Sequence, residues 1–198
     1  MFNELHNYIP ENALPLIKEW FEPYSFDFKI TKKRQTKLGD FRASHKRVKN
    51  QITVNGNLNK YAFLITLTHE FAHLLVWENH KRRIQPHGAE WKNQFSLLLL
   101  ELIELEIFPE DIKIAVLKHA KNPPASSVRD VELTFALNKY SKEKEVIYLN
   151  DIDVGTTFTI NNKRHFVKGE KRRTRYLCTD VHSKKQYLVH GVAEVIIC

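Results

Sequence analysis

The pattern of apolar and polar residues changes along the chain and predicts three regions. Residues 1–58 mix one helical segment with short strand-like runs, whereas residues 59–121 keep apolar residues at helical spacing. The segment NPPASS at 122–127 cannot continue a helix because of its paired prolines. It therefore marks the best domain boundary in the chain, and beyond it short alternating runs return.

The first two regions together predict a small sheet followed by a helical core. The sequence LPLIKEWF at 14–21 has helical periodicity, and FDFKI at 26–30 and NQITV at 50–54 predict strands. Three helices follow, the last opened by Pro109, at about 59–79, 88–107 and 109–121.

The C-terminal region predicts a small β unit. A short helix at 131–140 precedes six short apolar runs that are separated by turn-forming residues. Such runs are typical of an antiparallel meander or barrel of five or six strands. The predicted fold class is therefore α+β, with a first domain at 1–121, a linker at 122–130 and a small basic β-rich domain at 131–198.

Length and cysteine content indicate a soluble intracellular protein. With 198 residues, the chain can bury a core without disulfides, and it has only two cysteines, Cys178 and Cys198. It begins with no basic, apolar leader, and no apolar run reaches the length of a membrane span. We expect a cytoplasmic protein that is not bound to a membrane.

The net charge of +8 is concentrated in two blocks. Nine Lys or Arg residues lie between 29 and 49 with Asp40 as the one acid, and nine lie between 163 and 185 with Glu170 and Asp180. Dense positive charge favours polyanions such as nucleic acid. The alternative is that these residues lie in solvent-exposed loops and only increase solubility.

The segment LITLTHEFAHLLVW at 64–77 is apolar almost throughout, yet it contains His69, Glu70 and His73. On a helix, the two histidines of HExxH lie one turn apart on one face, within reach of a single metal ion. Glu70 follows about 100° around the helix, where it can flank a zinc ion without binding it and act as a general base. The alternative is a pair of core histidines bonded to carbonyl groups.

A catalytic zinc ion usually has a third protein ligand, and two downstream histidines compete for that role. His80 lies about 10 Å further along the helix axis than His73, which is too far unless the helix breaks. His87 is better placed, because Pro86 ends the helical run and HGAEWK opens the next helix. Glu90 is an alternative or supporting candidate, although its charge also suits a helix N-terminus.

These motifs resemble the SprT family of zinc-metalloprotease-like proteins. HEFAH is followed after thirteen residues by HGAEWK and preceded by ITVNGNL, and the resemblance covers about residues 10–120. It implies a zincin-like helical metalloprotease core, Zn²⁺ bound by His69, His73 and His87, and Glu70 as the catalytic general base. The family includes Spartan-type proteases that degrade proteins crosslinked to DNA, so the resemblance also implies a DNA-associated protein substrate.

The C-terminal region departs from the family pattern, in which a zinc ribbon of paired CxxC motifs often follows. Cys178 with His182 does not make a convincing structural metal site. The basic turn KGEKRRTRY instead predicts nucleic-acid binding by Lys171, Arg172, Arg173 and Arg175. Three aromatic residues on neighbouring strands are candidates for base stacking or for an ordinary core: Phe166, Tyr176 and Tyr187.

The sequence is compatible with two functions. The first is a zinc metallopeptidase of the SprT type that acts on protein or peptide substrates, including DNA-associated or DNA-crosslinked proteins. The alternative is a non-catalytic nucleic-acid-binding factor whose metal site is structural or vestigial.

Overall fold

The computed structural model describes residues 2–34, 36–44, 49–80, 84–125, 130–141, 147–160 and 164–198. The chain divides into two compact units, Met1–Ser141 and Lys142–Cys198. Within the described residues the first unit holds the α-helices and one sheet, and the second holds another sheet. The predicted α+β class is therefore confirmed. Four predicted features lie outside the described residues: part of the linker at 126–129, Lys46, Arg47 and Lys163.

The helices of the first unit follow the periodicity of the sequence closely. They are α1 (Phe2–Leu5), α2 (Leu14–Phe21), α3 (Lys60–His80), α4 (Ala89–Glu104), α5 (Glu110–Lys121) and α6 (Val131–Asn138). Consecutive helices from α3 to α6 pack against one another. Because α6 packs on α5, the first unit extends to Ser141, whereas the sequence had assigned residues 131–141 to the C-terminal domain.

The sheet of the first unit has three strands, β1 (Phe26–Thr31), β2 (Gly39–Arg42) and β3 (Asn50–Asn55). Their order is β1-β3-β2, with β1 parallel and β2 antiparallel to the central strand β3. Strand β3 is almost fully buried because α3 packs across it. Strand β2 was not predicted from the sequence, and it forms one edge of the sheet.

Helix α3 lies at the centre of this unit. The side chain of Asn59 caps its N-terminus by accepting hydrogen bonds from the backbone N–H groups of Tyr61 and Ala62 at 3.1 and 3.0 Å. Around the middle of α3, the ring of Phe71 contacts the rings of Trp20 and Phe21, with centroids 5.8 and 5.1 Å apart. These contacts anchor α2 against α3 and hold the middle of α3 in a rigid core.

The second unit is a six-stranded sheet with antiparallel pairings. Its strands are β4 (Ile147–Tyr148), β5 (Thr157–Ile160), β6 (Arg164–Arg172), β7 (Arg175–Asp180), β8 (Gln186–His190) and β9 (Glu194–Ile197). The order β4-β9-β5-β6-β7-β8 inserts the last strand between the first two, so the sheet is not a simple meander. Its small core includes Phe158, Phe166, Tyr176 and Cys178.

Among the described residues, no helix combines the length and the apolar character that crossing a bilayer requires.

Candidate metal centre

Helix α3 presents His69 and His73 on the same face, one turn apart. The flanking residues Leu67, Phe71 and Leu74 are buried, so the surrounding core fixes the rotation of the helix about its axis. Both imidazoles are partly buried and point toward the segment that joins α3 to α4. The arrangement is the one expected for HExxH on a helix.

His87 comes from that connecting segment, just before α4 begins at Ala89. Its backbone has a positive φ of 58°, a left-handed conformation that is uncommon for residues other than glycine. The packing of α4 against α3 brings this bend over the face that carries the other two histidines. Strained backbone of this kind often occurs where a side chain must be held in a functional position.

The three imidazoles converge closely. The Nε2 atom of His87 lies 3.1 Å from Nε2 of His69 and 3.1 Å from Nε2 of His73. One ligand atom from each residue lies within 4.8 Å of the others, so the cluster could hold a metal ion. Tetrahedral zinc with Zn–N bonds of about 2.0–2.1 Å keeps its nitrogen ligands about 3.3 Å apart, so the observed spacing fits such an ion.

The ring of Trp91 contacts all three histidines of the cluster. Its ring centroid lies 4.5, 5.2 and 4.6 Å from those of His69, His73 and His87. Its indole N–H also donates to the backbone carbonyl of His69 at 3.3 Å. The sequence motif HGAEWK contained this tryptophan, but only the structure reveals that it contacts all three imidazoles.

Burial keeps the imidazoles neutral. It lowers the pKa of His69 to about 2, helped by the nearby charges of His73, His87 and His119. It also lowers the pKa of His73 to about 3, with a further contribution from His87. The pKa of His87 is lowered by burial as well. Neutral imidazole is the form that binds metals, so near pH 7 few protons compete with an ion for these nitrogens.

Glu70 is a buried carboxyl group next to the first histidine. Burial raises its pKa to about 8, and the negative charge of Asp40 adds to that shift. A hydrogen bond from the Phe41 backbone opposes it, as do the charges of Arg34 and Lys37. A carboxyl group whose pKa lies near neutrality is suited to accept and return a proton. The charges that act on it all come from the segment leading into β2 or from β2 itself.

Strand β2 passes very close to Glu70, and Gly39 makes this approach possible. A Cβ atom at position 39 would lie 2.5 Å from Oε1 of Glu70 and 2.8 Å from Cγ2 of Thr66. Two residues later, the ring of Phe41 stacks on that of His73, with centroids 6.2 Å apart and planes 9° apart. Sequence reasoning missed Gly39 and Phe41, because β2 itself gave no recognisable pattern.

Of the other metal-ligand candidates, the structure brings none to the cluster. His80, at the end of α3, and Glu90, in the first turn of α4, are both exposed. Cys178 is buried in the core of the second unit. Among the described residues, the only group of three or more potential ligands is the histidine cluster of the first unit.

The predicted nucleic-acid-binding residues lie on or between β6 and β7, but they do not form one group. Arg172 and Arg175 are paired across the two strands, and Arg173 occupies the turn between them with a φ of 57°. Lys171 is instead paired with Tyr176, whose ring belongs to the core. Phe166 is buried as well, so the structure favours a core role for these two rings over base stacking.

Comparison with known proteins supports the resemblance read from the motifs. Residues 9–98 match the model of the SprT-like family, and this segment contains the three clustered histidines and Glu70. No curated protein and no solved structure matches the chain. The resemblance noted in the sequence is thus confirmed over residues 9–98, which match the SprT-like family.

Proposed function

We propose that the protein is a zinc-dependent peptidase of the SprT type, with His69, His73 and His87 as the zinc ligands. The observation that carries this proposal is the convergence of three neutral imidazoles beside the buried carboxyl group of Glu70. Helices α3 and α4 would then form the zincin-like core that the family resemblance implies.

The donor set and the neighbouring acid suit peptide hydrolysis. A zinc ion bound by three imidazoles supplies a Lewis acid that polarises a carbonyl group and makes water more acidic. Glu70 accepts a proton from the water that attacks the peptide carbonyl, and it then returns that proton to the departing amine. The rigid packing of Trp91 against the imidazoles would keep the ligands in position through the reaction.

The edge of the small sheet supports an extended peptide as substrate. In the order β1-β3-β2, strand β2 pairs with β3 on one side, and the described residues supply no strand for its other side. The contacts of Gly39 with Glu70 and of Phe41 with His73 bring this edge alongside the candidate centre. A substrate chain that adds to β2 by main-chain hydrogen bonds would pass the zinc ligands in an extended conformation.

The substrates we propose are proteins, including proteins bound or crosslinked to DNA. The basic blocks of the sequence support this choice, because a protease that also binds DNA would be concentrated near such substrates. The exposed arginines of β6 and β7 also keep a second candidate function open, a nucleic-acid-binding factor without catalytic turnover.

The substitution Glu70→Gln tests the peptidase directly. It removes the proton acceptor but keeps the size of the side chain, so cleavage of an unfolded protein should fall by about 10²–10⁴-fold. Zinc content, measured by elemental analysis, should stay near one ion per chain. His80→Gln is the matched control, since it removes an exposed histidine of the same helix and should change neither quantity.

A negative result would be equally clear. If the zinc-loaded wild-type chain cleaves no protein, with or without DNA, the peptidase proposal is wrong. The second candidate function, a non-catalytic nucleic-acid-binding factor, would then be favoured. If purified protein binds no zinc while His87→Ala leaves all other properties unchanged, the metal centre itself is wrong.

A further inference from the structure

Three basic side chains form a row across the sheet of the second unit. Arg172 on β6 is directly opposite Arg175 on β7, and Arg175 is directly opposite His190 on β8. Directly opposite residues in antiparallel strands point to the same face, with Cβ atoms about 4.5–5.5 Å apart. We call these three residues the basic row.

The basic row has no internal partner of opposite charge. Like charges directly opposite each other, as in the pair of Arg172 and Arg175, destabilise a sheet. Within the described residues, no carboxylate lies within salt-bridge distance of the three side chains. The Nδ1 atom of His190 is buried and lacks a hydrogen-bond partner. Burial and the charge of Arg175 both lower the pKa of His190, as expected for an imidazole that faces a cation.

Other basic residues of the same unit are engaged within the fold. Arg164 binds the Asp180 carboxylate at 2.8 Å and donates to the Tyr187 hydroxyl at 2.8 Å. The Lys168 ammonium group donates to the Ile152 carbonyl and lies 4.0 Å from the centre of the Tyr176 ring. Arg164 and Lys168 are thus stabilised within the fold, whereas Arg172 and Arg175 face each other across two strands without such a partner.

We propose that the basic row binds the phosphodiester backbone of double-stranded nucleic acid, without regard to sequence. Strands lie about 4.7–4.9 Å apart, so three side chains in a row span about 10 Å. A row of that length can contact neighbouring phosphates of one backbone. The arginine guanidinium group matches the oxygens of a phosphate in a two-pronged geometry, and a bound polyanion would remove the repulsion within the row.

The surroundings of the row favour a duplex over a single strand. Proteins that bind single strands without sequence preference usually stack bases on aromatic rings. On this face, the pair next to the row is Leu177 opposite Leu188, both aliphatic. The rings of Phe166 and Tyr176 belong to the other face, in the core. The contacts available to the row are therefore contacts to phosphates, and a duplex has about twice as many phosphates per length of its axis as one of its strands.

The proposal separates two variants that change the net charge equally. Arg175→Gln removes the middle of the row, whereas Lys171→Gln removes a cation that is paired with the core residue Tyr176 on the opposite face. Binding of the full chain to a fluorescent 20-base-pair DNA duplex is measured by fluorescence anisotropy at several salt concentrations. We expect Arg175→Gln to weaken binding roughly tenfold and Lys171→Gln less than about twofold.

Two further readouts accompany the affinity. The slope of log affinity against log salt concentration should become shallower by about 1 in Arg175→Gln, since about one phosphate contact is lost. The melting temperature of the same variant should stay equal to that of the wild type or rise by about 1–4 °C, because repulsion within the row is relieved. A clear fall in melting temperature would show that Arg175 stabilises the sheet, and it would overturn the argument from uncompensated charge.

Other outcomes also overturn the proposal. Equal losses in the two variants would mean that diffuse positive charge binds DNA. Tighter binding to single-stranded DNA of the same length would reject the duplex, and displacement of the duplex by an equimolar acidic peptide would reject a nucleic-acid site. The assay measures binding alone, so it can fail while the peptidase proposal stands, and it can succeed in a chain that cleaves nothing.

Discussion

The two units treat the same chemical group in opposite ways. Burial in the first unit raises the pKa of Glu70 to about 8. In the second unit, hydrogen bonds led by that from the backbone N–H of Ser183 hold the pKa of Asp180 well below its ordinary range. At Glu70 burial outweighs the one backbone hydrogen bond, so the neutral form is favoured, whereas at Asp180 several donors dominate and the carboxyl group stays charged. The first arrangement suits proton transfer, whereas the second stabilises a turn.

The environments of the basic side chains also differ between the two units. In the first unit, three imidazoles lie close together against the ring of Trp91, and their nitrogens are near enough to one another to hold one metal ion. In the second unit, Arg175 lies opposite Arg172 on one neighbouring strand and opposite His190 on the other. The neutral imidazoles of the interior cluster could share one metal ion, whereas the positive charge of the two arginines on the sheet calls for an anion from outside the fold.

The largest expected difference between the two units is the effect of zinc on their stability. If zinc binds only the folded histidine cluster, a concentration 100 to 1,000 times its Kd adds about 2.7–4.1 kcal/mol to the free energy of unfolding. Hydrogen exchange should therefore slow in α3 and α4 when zinc replaces a chelator, and it should stay unchanged in β5 to β8. In His87→Ala the zinc effect should disappear. Equal slowing in both units would break the comparison, because it would show that zinc does not act at the cluster alone.

Gly39→Ala tests how tightly the first site is organised. The added methyl group would meet Glu70 Oε1 at 2.5 Å and Thr66 Cγ2 at 2.8 Å, so either β2 or the Glu70 side chain must move. Loss of alignment of about 1 Å costs on the order of 10²-fold in rate. We expect peptidase activity to fall by about 10- to 100-fold, with zinc content unchanged because no ligand is touched.

The control for this variant is Thr36→Ala, an exposed position in the segment that leads into β2. It should retain full activity. If Gly39→Ala is as active as the wild type, the close approach of β2 does not determine the position of Glu70, and the site is less rigid than the comparison states.

The sequence predicted those parts of the first unit that depend on local pattern. The helix expected at 14–21 is α2, and the three helices expected between 59 and 121 are α3, α4 and α5. Proline positions and apolar periodicity act within a few residues, so they can be read without the fold. Strand β2 could not be read in this way. Its four residues, GDFR, have no clear alternation, and the strand forms because β3 and α3 supply its partners.

In the second unit, the strands were predictable but their register was not. Strict alternation from Phe166 and Lys168 would turn Arg172 toward the core. A β-bulge between Lys168 and Lys171 reverses this, so that Lys171 pairs with the core residue Tyr176 and Arg172 shares the outer face with Arg175. The position of His190 opposite Arg175 could not be predicted either, because it depends on the pairing of β7 with β8.

The smallest expected effect is a loss of stability at acidic pH, and it tests the contrast between the carboxyl groups of Glu70 and Asp180. The Asp180 carboxylate accepts hydrogen bonds from the backbone N–H of Ser183 at 2.7 Å, the Ser183 hydroxyl at 2.9 Å and the backbone N–H of His182 at 3.1 Å. Because its folded pKa lies below the unfolded value, its stabilising effect is complete above about pH 4. It is then lost as pH falls through the folded pKa.

Asp180→Asn should therefore lower the stability of the second unit slightly at pH 7 and flatten its dependence on pH between about 4 and 2. Hydrogen exchange in β7 and β8, measured across that range, would detect both changes, and Asp153→Asn, at an exposed position of the same unit, serves as the control. If the Asn variant and the wild type lose stability with the same acid profile, the hydrogen bonds to Asp180 do not favour its charged form. The contrast between Asp180 and Glu70 would then be one of degree.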